Sequence, residues 1–180
     1  MKKEIFHHIE IPANVEATVE GNLVKMKGPN GELSREFNIS DLELRKEGNK
    51  IVIGNKKATK KEKKNMNSIK AHLKNMIEGV LNGFEYHLKV CYSHFPMTVE
   101  IHGQEITIKN YLGENTARKC KIVKGATVKI EKDYITVTAI DREVAGQTAA
   151  NLEKATKVRN RDKRIFQDGI FMTSKPGREI

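Results

Sequence analysis

Tryptophan is absent from the 180 residues of this chain, and aromatic residues make up only 6% of it. Any hydrophobic core must therefore consist mostly of aliphatic side chains, methionine and alanine. Hydrophobic residues amount to 38%, which is below an average globular domain but above a disordered chain. No apolar run approaches the roughly eighteen residues that a membrane helix requires, so we expect no membrane-spanning segment.

Cysteine is scarce. Only Cys91 and Cys120 are present, and they form no CxxC pair, so the sequence does not predict a structural zinc site. Two lone cysteines are typical of a reducing compartment. The N-terminal sequence MKKEIFHHIEIP is interrupted by charged residues and histidines where a signal peptide is apolar. We therefore expect an intracellular protein.

The motifs of common catalytic sites are missing as well. The chain has no GxxxxGK[ST] phosphate-binding loop, no GxSxG element and no HExxH sequence. Cys91 and His94 are close in sequence, but no acid that would orient the histidine is evident. We predict that the chain is not an enzyme and uses no metal, cofactor or small-molecule substrate.

Positive charge is in excess. The chain has 33 Lys and Arg against 23 Asp and Glu, which gives a formal net charge of +10 and a sequence pI of about 9.5. This balance favours a polyanionic partner, with nucleic acid first and an acidic membrane surface second. The alternative is that the lysines only keep the protein soluble.

Two segments concentrate this charge. KKATKKEKK, residues 56–64, holds six lysines and one acid, and we place it just before the first predicted helix. KVRNRDKRIFQDGI, residues 157–170, begins with five basic residues in eight and ends with Ile165, Phe166 and Ile170. Because like charges packed so densely repel one another unless an anion is present, we interpret both segments as phosphate contacts. A solvated surface is the alternative.

The C-terminal segment is interpreted as a basic arm, with Phe166 and Ile170 holding it against the protein. Guanidinium groups make bidentate phosphate contacts and stack on bases, and Gly169 permits a tight bend or a close approach of the backbone. The candidate nucleic-acid-binding residues are Lys56, Lys57, Lys60, Lys61, Lys63, Lys64, Lys157, Arg159, Arg161, Lys163, Arg164, Gly169 and Lys175.

An internal repeat organises the chain. GNLVKMKGPNGE at 21–32 is similar to GQEITIKNYLGE at 103–114, and each copy continues from alternating strand patterns into a helical pattern. In the second copy, Asp141 is predicted to cap a helix from Arg142 to Val158. We predict an α+β fold of two tandem homologous domains, each an antiparallel sheet packed against one helix. The domains are 1–83 and 84–180, and the second carries the basic C-terminal extension.

Three segments resemble a known family. They are the hairpin VKMKGPNGELSREF, the helix segment AGQTAANLEKAT and the basic exit RNRDKRIFQDGIF, and together they resemble the large-subunit ribosomal protein six family in its archaeal and eukaryotic form. The resemblance covers essentially the whole chain. It implies a structural, non-catalytic constituent of the large ribosomal subunit in the cytoplasm. It also implies binding to large-subunit ribosomal RNA near the stalk base and factor-binding region, beside neighbouring ribosomal proteins.

The resemblance further implies that the C-terminal domain makes much of the RNA contact. Gly146, Gln147 and Ala150 match the helix motif of the family, and Gly169 with Ile170 matches its terminal glycine turn. The exit segment differs from the Gly-Lys-rich bacterial form, so bacterial contacts are not transferred to it. Two alternatives remain: an RNA-processing enzyme that uses the same basic surface, and a structural adaptor whose charge serves an acidic protein.

Overall fold

The computed structural model of the chain describes residues 3–39 and 42–180. Its contacts divide the chain into two units, Met1–Gly83 and Phe84–Ile180, which we call the first and second units. We propose that these units are the two domains predicted from the repeat.

The described residues of the first unit, 3–39 and 42–83, form six strands and one helix. The elements are β1 (Lys3–Glu10), β2 (Glu16–Glu20), β3 (Leu23–Gly28), β4 (Gly31–Glu36), β5 (Glu43–Glu47), β6 (Lys50–Ala58) and α1 (Lys60–Asn82). The strands form two antiparallel sheets, ordered β1-β6-β5 and β2-β3-β4. The unit therefore has two sheets where the sequence predicted one. Helix α1 contacts strands of both sheets.

Alternation of apolar and polar residues explains β2 and β3. Val24 and Met26 in β3 are fully buried, and Ala17 in β2 is nearly so. These side chains point to the helix side because successive residues of a strand face opposite sides of the sheet. The alternation predicted for this part of the chain is confirmed.

The hairpin between β3 and β4 also donates a hydrogen bond to the C-terminal end of α1. Gly28 pairs with Gly31, so the two loop residues are Pro29 and Asn30. The sequence PNG at 29–31 thus forms the turn, and of its residues only Gly31 has a positive φ, at 138°. The amide of Asn30 donates to the carbonyl of Val80 at 3.1 Å, which satisfies a helix-end acceptor.

Helix α1 begins and ends with recognisable capping residues. The carboxylate of Glu62 accepts hydrogen bonds from the backbone amide of Thr59, at 2.8 Å, and from its hydroxyl. Gly83, with a φ of 73°, ends the helix and donates its amide to Gly79. The buried face of the helix recurs at helical spacing and consists of Met66, Ile69, Leu73, Met76, Ile77, Gly79 and Val80.

The second unit contains the same elements and two more strands. They are β7 (Phe84–Cys91), β8 (Thr98–His102), β9 (Glu105–Lys109), β10 (Arg118–Lys121), β11 (Ala126–Glu131), β12 (Tyr134–Ala139), α2 (Arg142–Ala155), β13 (Gly169–Lys175) and β14 (Arg178–Glu179). One sheet has the order β10-β9-β8 and the other β11-β12-β7-β13-β14. A single 3-10 turn, Tyr111–Gly113, precedes β10.

The two units have equivalent topology. In each unit, the first strand pairs with the sixth and the sixth with the fifth, while the second, third and fourth form a separate sheet. The glycines matched by the repeat, Gly21 and Gly103, occupy equivalent hairpin turns with φ of 59° and 63°. The predicted α+β class with two tandem homologous units is confirmed.

Helix α2 is capped as predicted but is shorter. The carboxylate of Asp141 accepts the amide hydrogen of Glu143 at 2.9 Å, and the helix ends at Ala155 rather than Val158. The absence of a side chain at Gly146 leaves room for the Tyr86 ring. A Cβ at that position would lie 3.1 Å from the hydroxyl oxygen of Tyr86. Small side chains let the helix approach its sheet closely, and the buried ones are Ala145, Thr148, Ala149 and Leu152.

The strands at the two ends of the chain were not predicted. β1 pairs with β6 in the first unit, and β13 pairs with β7 in the second. The end of the predicted C-terminal extension is therefore part of a sheet, whereas its basic stretch between α2 and β13 lies outside regular structure. The physical reason is that β7 offers β13 an open edge, and main-chain hydrogen bonds satisfy both strands.

Candidate nucleic-acid interface

The segment predicted as a basic arm anchored by apolar residues is a loop closed at both ends. We call residues 157–167 the basic loop; it leaves α2 at Thr156 and returns at Asp168. The hydroxyl of Tyr111 donates to the carbonyl oxygen of Thr156 at 2.7 Å and lies 3.4 Å from that of Asp168. The amide of Ile170 donates to the side-chain oxygen of Thr156 at 2.9 Å. One set of buried contacts therefore joins both ends of the segment, in addition to the apolar anchoring predicted from the sequence.

Tyr111 is itself held by an arginine. The guanidinium carbon of Arg118 lies 4.0 Å from the centre of the Tyr111 ring, and Nη1 donates to the carbonyl of Ala155 at 2.8 Å. Its other nitrogens donate to the carboxylate of Glu114 at 2.6 and 2.8 Å. Burial raises the pKa of the Tyr111 hydroxyl, which therefore remains a hydrogen-bond donor at neutral pH.

Asp168 fixes the far end of the loop. Its side chain is only 1% exposed, and Oδ1 accepts hydrogen bonds from the amide and hydroxyl of Ser93, at 2.6 and 2.8 Å. Nδ1 of His94 lies 2.7 Å from Oδ2. Burial alone would raise the pKa of Asp168, but the hydrogen bonds from Ser93 and His94 outweigh it and hold the pKa below its usual value.

Phe166 reinforces this junction. Its ring stacks on the ring of His94 with centroids 4.9 Å apart, and it is half-buried. Ile170, which begins the buried face of β13, is 1% exposed, whereas Ile165 is 64% exposed. The prediction that Phe166 and Ile170 hold the segment against the protein is confirmed.

Ser93, His94 and Asp168 are the residue types of a hydrolytic triad, but their geometry is different. The Ser93 hydroxyl donates to the Asp168 carboxylate, and it lies 3.1 Å from Nδ1 of His94, the nitrogen that the carboxylate also approaches. A triad needs the nucleophile at one ring nitrogen and the acid at the other. The cluster therefore holds the loop and does not form a nucleophile.

The basic side chains of the loop are all exposed. Nη2 of Arg164 lies 2.8 Å from the Asp162 carboxylate, and the guanidinium of Arg161 lies 4.8 Å from the centre of the Phe166 ring. Within residues 3–39 and 42–180, no hydrogen bond or ion pair engages the side chains of Lys157, Arg159 and Lys163. The loop thus presents several cations whose charge is not compensated.

The lysine run forms a second charged group, on the first unit. Lys56 and Lys57 lie in β6, and the other four lysines lie in the first turns of α1, so the prediction that the run precedes the helix is wrong. All six are exposed. Their charges add to the positive end of the helix dipole instead of opposing it, an arrangement suited to an anion. Glu62, the only acid of the run, is held by Thr59.

The two remaining candidates lie in β13. Gly169 is buried and pairs with Cys91, so any influence on a ligand must act through the position of the strand. A Cβ at Gly169 would lie 3.2 Å from Cζ of Phe171 and 3.4 Å from the carbonyl oxygen of Thr156. Lys175 is exposed beside Arg178 at the β13–β14 turn.

Sequence reasoning missed the residues that hold the loop. Tyr111 and Arg118 lie in the 3-10 turn and in β10, and no local pattern relates them to the loop. The acid missing beside His94 is Asp168, separated from it by 74 positions in the sequence. The only available signal was the apolar ending of the basic segment, which indicated attachment but not its partners.

Neither of two other kinds of site is present among the described residues. No helix there is both long and apolar enough to cross a membrane. No group of three or more His, Cys, Asp or Glu side chains in that part of the chain is arranged to hold a metal ion.

The fold and the exposed charges define a class: a tandem α+β protein with an exposed, closed basic loop on its second unit. The pattern of the family described as ribosomal protein L6 matches residues 11–83 and 95–169, one match in each unit. The chain belongs to the ribosomal protein L6 family. Membership confirms the resemblance found in the sequence and the prediction that the chain is not an enzyme, so the RNA-processing alternative is wrong.

Similar proteins from archaea share nearly the whole length of the chain. The large ribosomal subunit protein uL6 of Methanobrevibacter smithii is 46% identical over 171 residues, covering 95% of this chain and 96% of that protein. The protein of the same name from Methanothrix thermoacetophila is 43% identical, covering 97% and 99%. That from Sulfurisphaera tokodaii is also 43% identical, covering 95% and 92%.

Proposed function

We propose that this chain is a structural protein of the large ribosomal subunit and binds large-subunit ribosomal RNA, mainly through the basic loop of its second unit. The observation that carries the proposal is the loop itself, which combines exposed cations with buried contacts at both ends. Family membership and the names of the archaeal relatives support the choice of RNA as the polyanion.

Basic residues of both units supply the proposed phosphate contacts. The basic loop binds phosphates through Lys157, Arg159, Arg161, Lys163 and Arg164, and Lys175 extends this surface along β13. The lysines of residues 56–64 form a second phosphate-binding surface on the first unit. Neutralising phosphates releases condensed counterions, which supplies affinity without base specificity.

The finer placement follows from the family resemblance. We place the protein near the base of the lateral stalk and the factor-binding region of the subunit, in contact with neighbouring ribosomal proteins there. Its location is then the cytoplasm, within the ribosome.

Footprinting on in vitro transcribed large-subunit ribosomal RNA tests the proposal. Full-length protein should protect one region, and residues 84–180 alone should reproduce that footprint better than residues 1–83. If about six phosphates are neutralised, log K should fall against log salt with a slope of about −4 to −5. Protection without a preferred region, or a slope near zero, would contradict specific electrostatic binding. A site-specific footprint from the first unit alone would reverse the assignment of the units.

A further inference from the structure

A cavity of about 740 Å³ opens between the basic loop, the C-terminal end of α2 and the start of β13. Its volume falls in the range of roughly 300–1,000 Å³ that is typical of sites for small organic groups. The contacts assigned above bind phosphates at the surface and leave this cavity unused.

The walls are largely apolar and include an aromatic ring available for stacking. Ala150 of α2, Phe166 of the loop and Ile170 and Phe171 of β13 all line the cavity. Phe166 already stacks on His94, but Phe171 is 47% exposed. A Phe ring so exposed and facing a concave surface is suited to contact with a flat apolar group.

The rim of the cavity is cationic. Lys154, Lys157 and Lys163 line it, all exposed, and none of their side chains has an ion pair within the described parts of the chain. Both acids at the cavity are already engaged. Glu153 accepts the amide hydrogen of Met172 at 2.9 Å, and Asp168 is bound by Ser93 and His94. Three lysines therefore face two carboxylates at the cavity, so its excess charge is positive.

An apolar, partly aromatic cavity with a lysine rim matches a nucleotide, whose flat base and phosphate have the complementary properties. We propose that the cavity receives an unpaired base of the bound RNA, which stacks on Phe171 while the rim lysines hold the adjoining phosphates. This proposal rests on the proposed function and adds to it a site that selects single-stranded over paired nucleotides.

Cys91 provides a built-in reporter. It is half-buried and lines the cavity, whereas the other cysteine, Cys120, is 5% exposed and burial raises the pKa of its thiol to about 11. Because thiolates are the reactive form, iodoacetamide should modify Cys91 and spare Cys120. With large-subunit RNA at about ten times its Kd, the alkylation rate of Cys91 should fall by about tenfold, as measured by mass spectrometry.

Substitutions distinguish an RNA base inserted into the cavity from RNA that only covers the opening of the cavity. Phe171→Ala should weaken RNA binding by about 5- to 100-fold, the usual effect of losing one stacking ring. Ala150→Leu, which narrows the cavity without changing charge, should also weaken binding. Tyr134→Ala is the matched control, because Tyr134 is a 56% exposed aromatic residue of the same sheet outside the cavity, and it should bind like wild type.

The outcomes separate this inference from the proposed function. RNA binding with an unprotected Cys91, or with Phe171→Ala and Ala150→Leu both unchanged, overturns the cavity site and leaves the proposed function intact. Protection seen in assembled subunits but not in the RNA complex would assign the cavity to a neighbouring protein and also overturn the inference. Absence of specific RNA binding by the wild-type protein would overturn both.

Discussion

Replacement of Asp168 by asparagine tests how the basic loop is held. The substitution keeps the size of the side chain but removes the charge that accepts hydrogen bonds from Ser93 and His94. Hydrogen bonds to a buried charged group contribute roughly 1.5 to 3 kcal/mol, and asparagine retains part of them. We expect Asp168→Asn to lower the free energy of unfolding by about 2 kcal/mol at pH 7.

Urea unfolding followed by circular dichroism measures this change, and Asp162→Asn is its control. Asp162 is an exposed carboxylate of the same loop that pairs with Arg164, and exposed ion pairs contribute little to stability. The control should therefore unfold like wild type. Equal loss of stability in both variants would show that the effect belongs to the loop in general and not to the buried junction.

The pH dependence provides a second check. Because the folded-state pKa of Asp168 is lowered, its stabilising effect is fully present above the unfolded-state pKa of about 3.9 and is lost as the pH falls through the folded-state value. The stability difference between wild type and Asp168→Asn should therefore be constant near neutral pH and shrink below about pH 4. A difference that persists unchanged at pH 3 would refute the assignment to the carboxylate charge.

Three other predictions concern the loop and the first unit. Changing all three arginines of the basic loop to alanine should weaken RNA binding, leave thermal stability nearly unchanged and reduce the salt slope by roughly 0.7 to 0.9 per lost contact; unchanged affinity would refute the RNA contact. Phe166→Ala should cost about 1 to 3 kcal/mol in urea unfolding, whereas retained stability with reduced affinity would indicate that the ring stacks on RNA. Gly54→Ala should destabilise the protein by about 1 to 3 kcal/mol in the same assay, because the added Cβ would collide with the Phe6 ring; wild-type stability would contradict that.

Local patterns were sufficient for most of the fold. Apolar alternation identified β3, helical spacing identified α1, and a side-chain acceptor identified the start of α2 at Asp141. Each of these signals depends on residues only a few positions apart. The repeat then supplied the tandem arrangement, because two copies of one pattern fold in the same way.

The missing parts depend on distant partners. β13 is a strand because β7, about 80 positions earlier, presents an edge to it, and the order of residues in β13 alone does not reveal this. The junction of the loop depends on Tyr111. The position of Tyr111 is set by the turn that contains it, in which its neighbours Asn110 and Leu112 have φ of 58° and 50°. Such non-glycine conformations are uncommon, and no sequence rule predicted them. The charge of the candidate site was therefore predictable, but its closed shape was not.

The closure of the basic loop at Thr156 and Asp168 has an entropic consequence. In an open arm, each residue would lose about 1 to 2 kcal/mol of backbone freedom when RNA ordered it. Here folding of the second unit has already ordered the segment, so that loss does not oppose binding. Under the proposed function, affinity for RNA is thereby linked to the stability of the junction. A change that loosens Asp168 or Tyr111 would weaken binding without altering a single charge that faces the RNA.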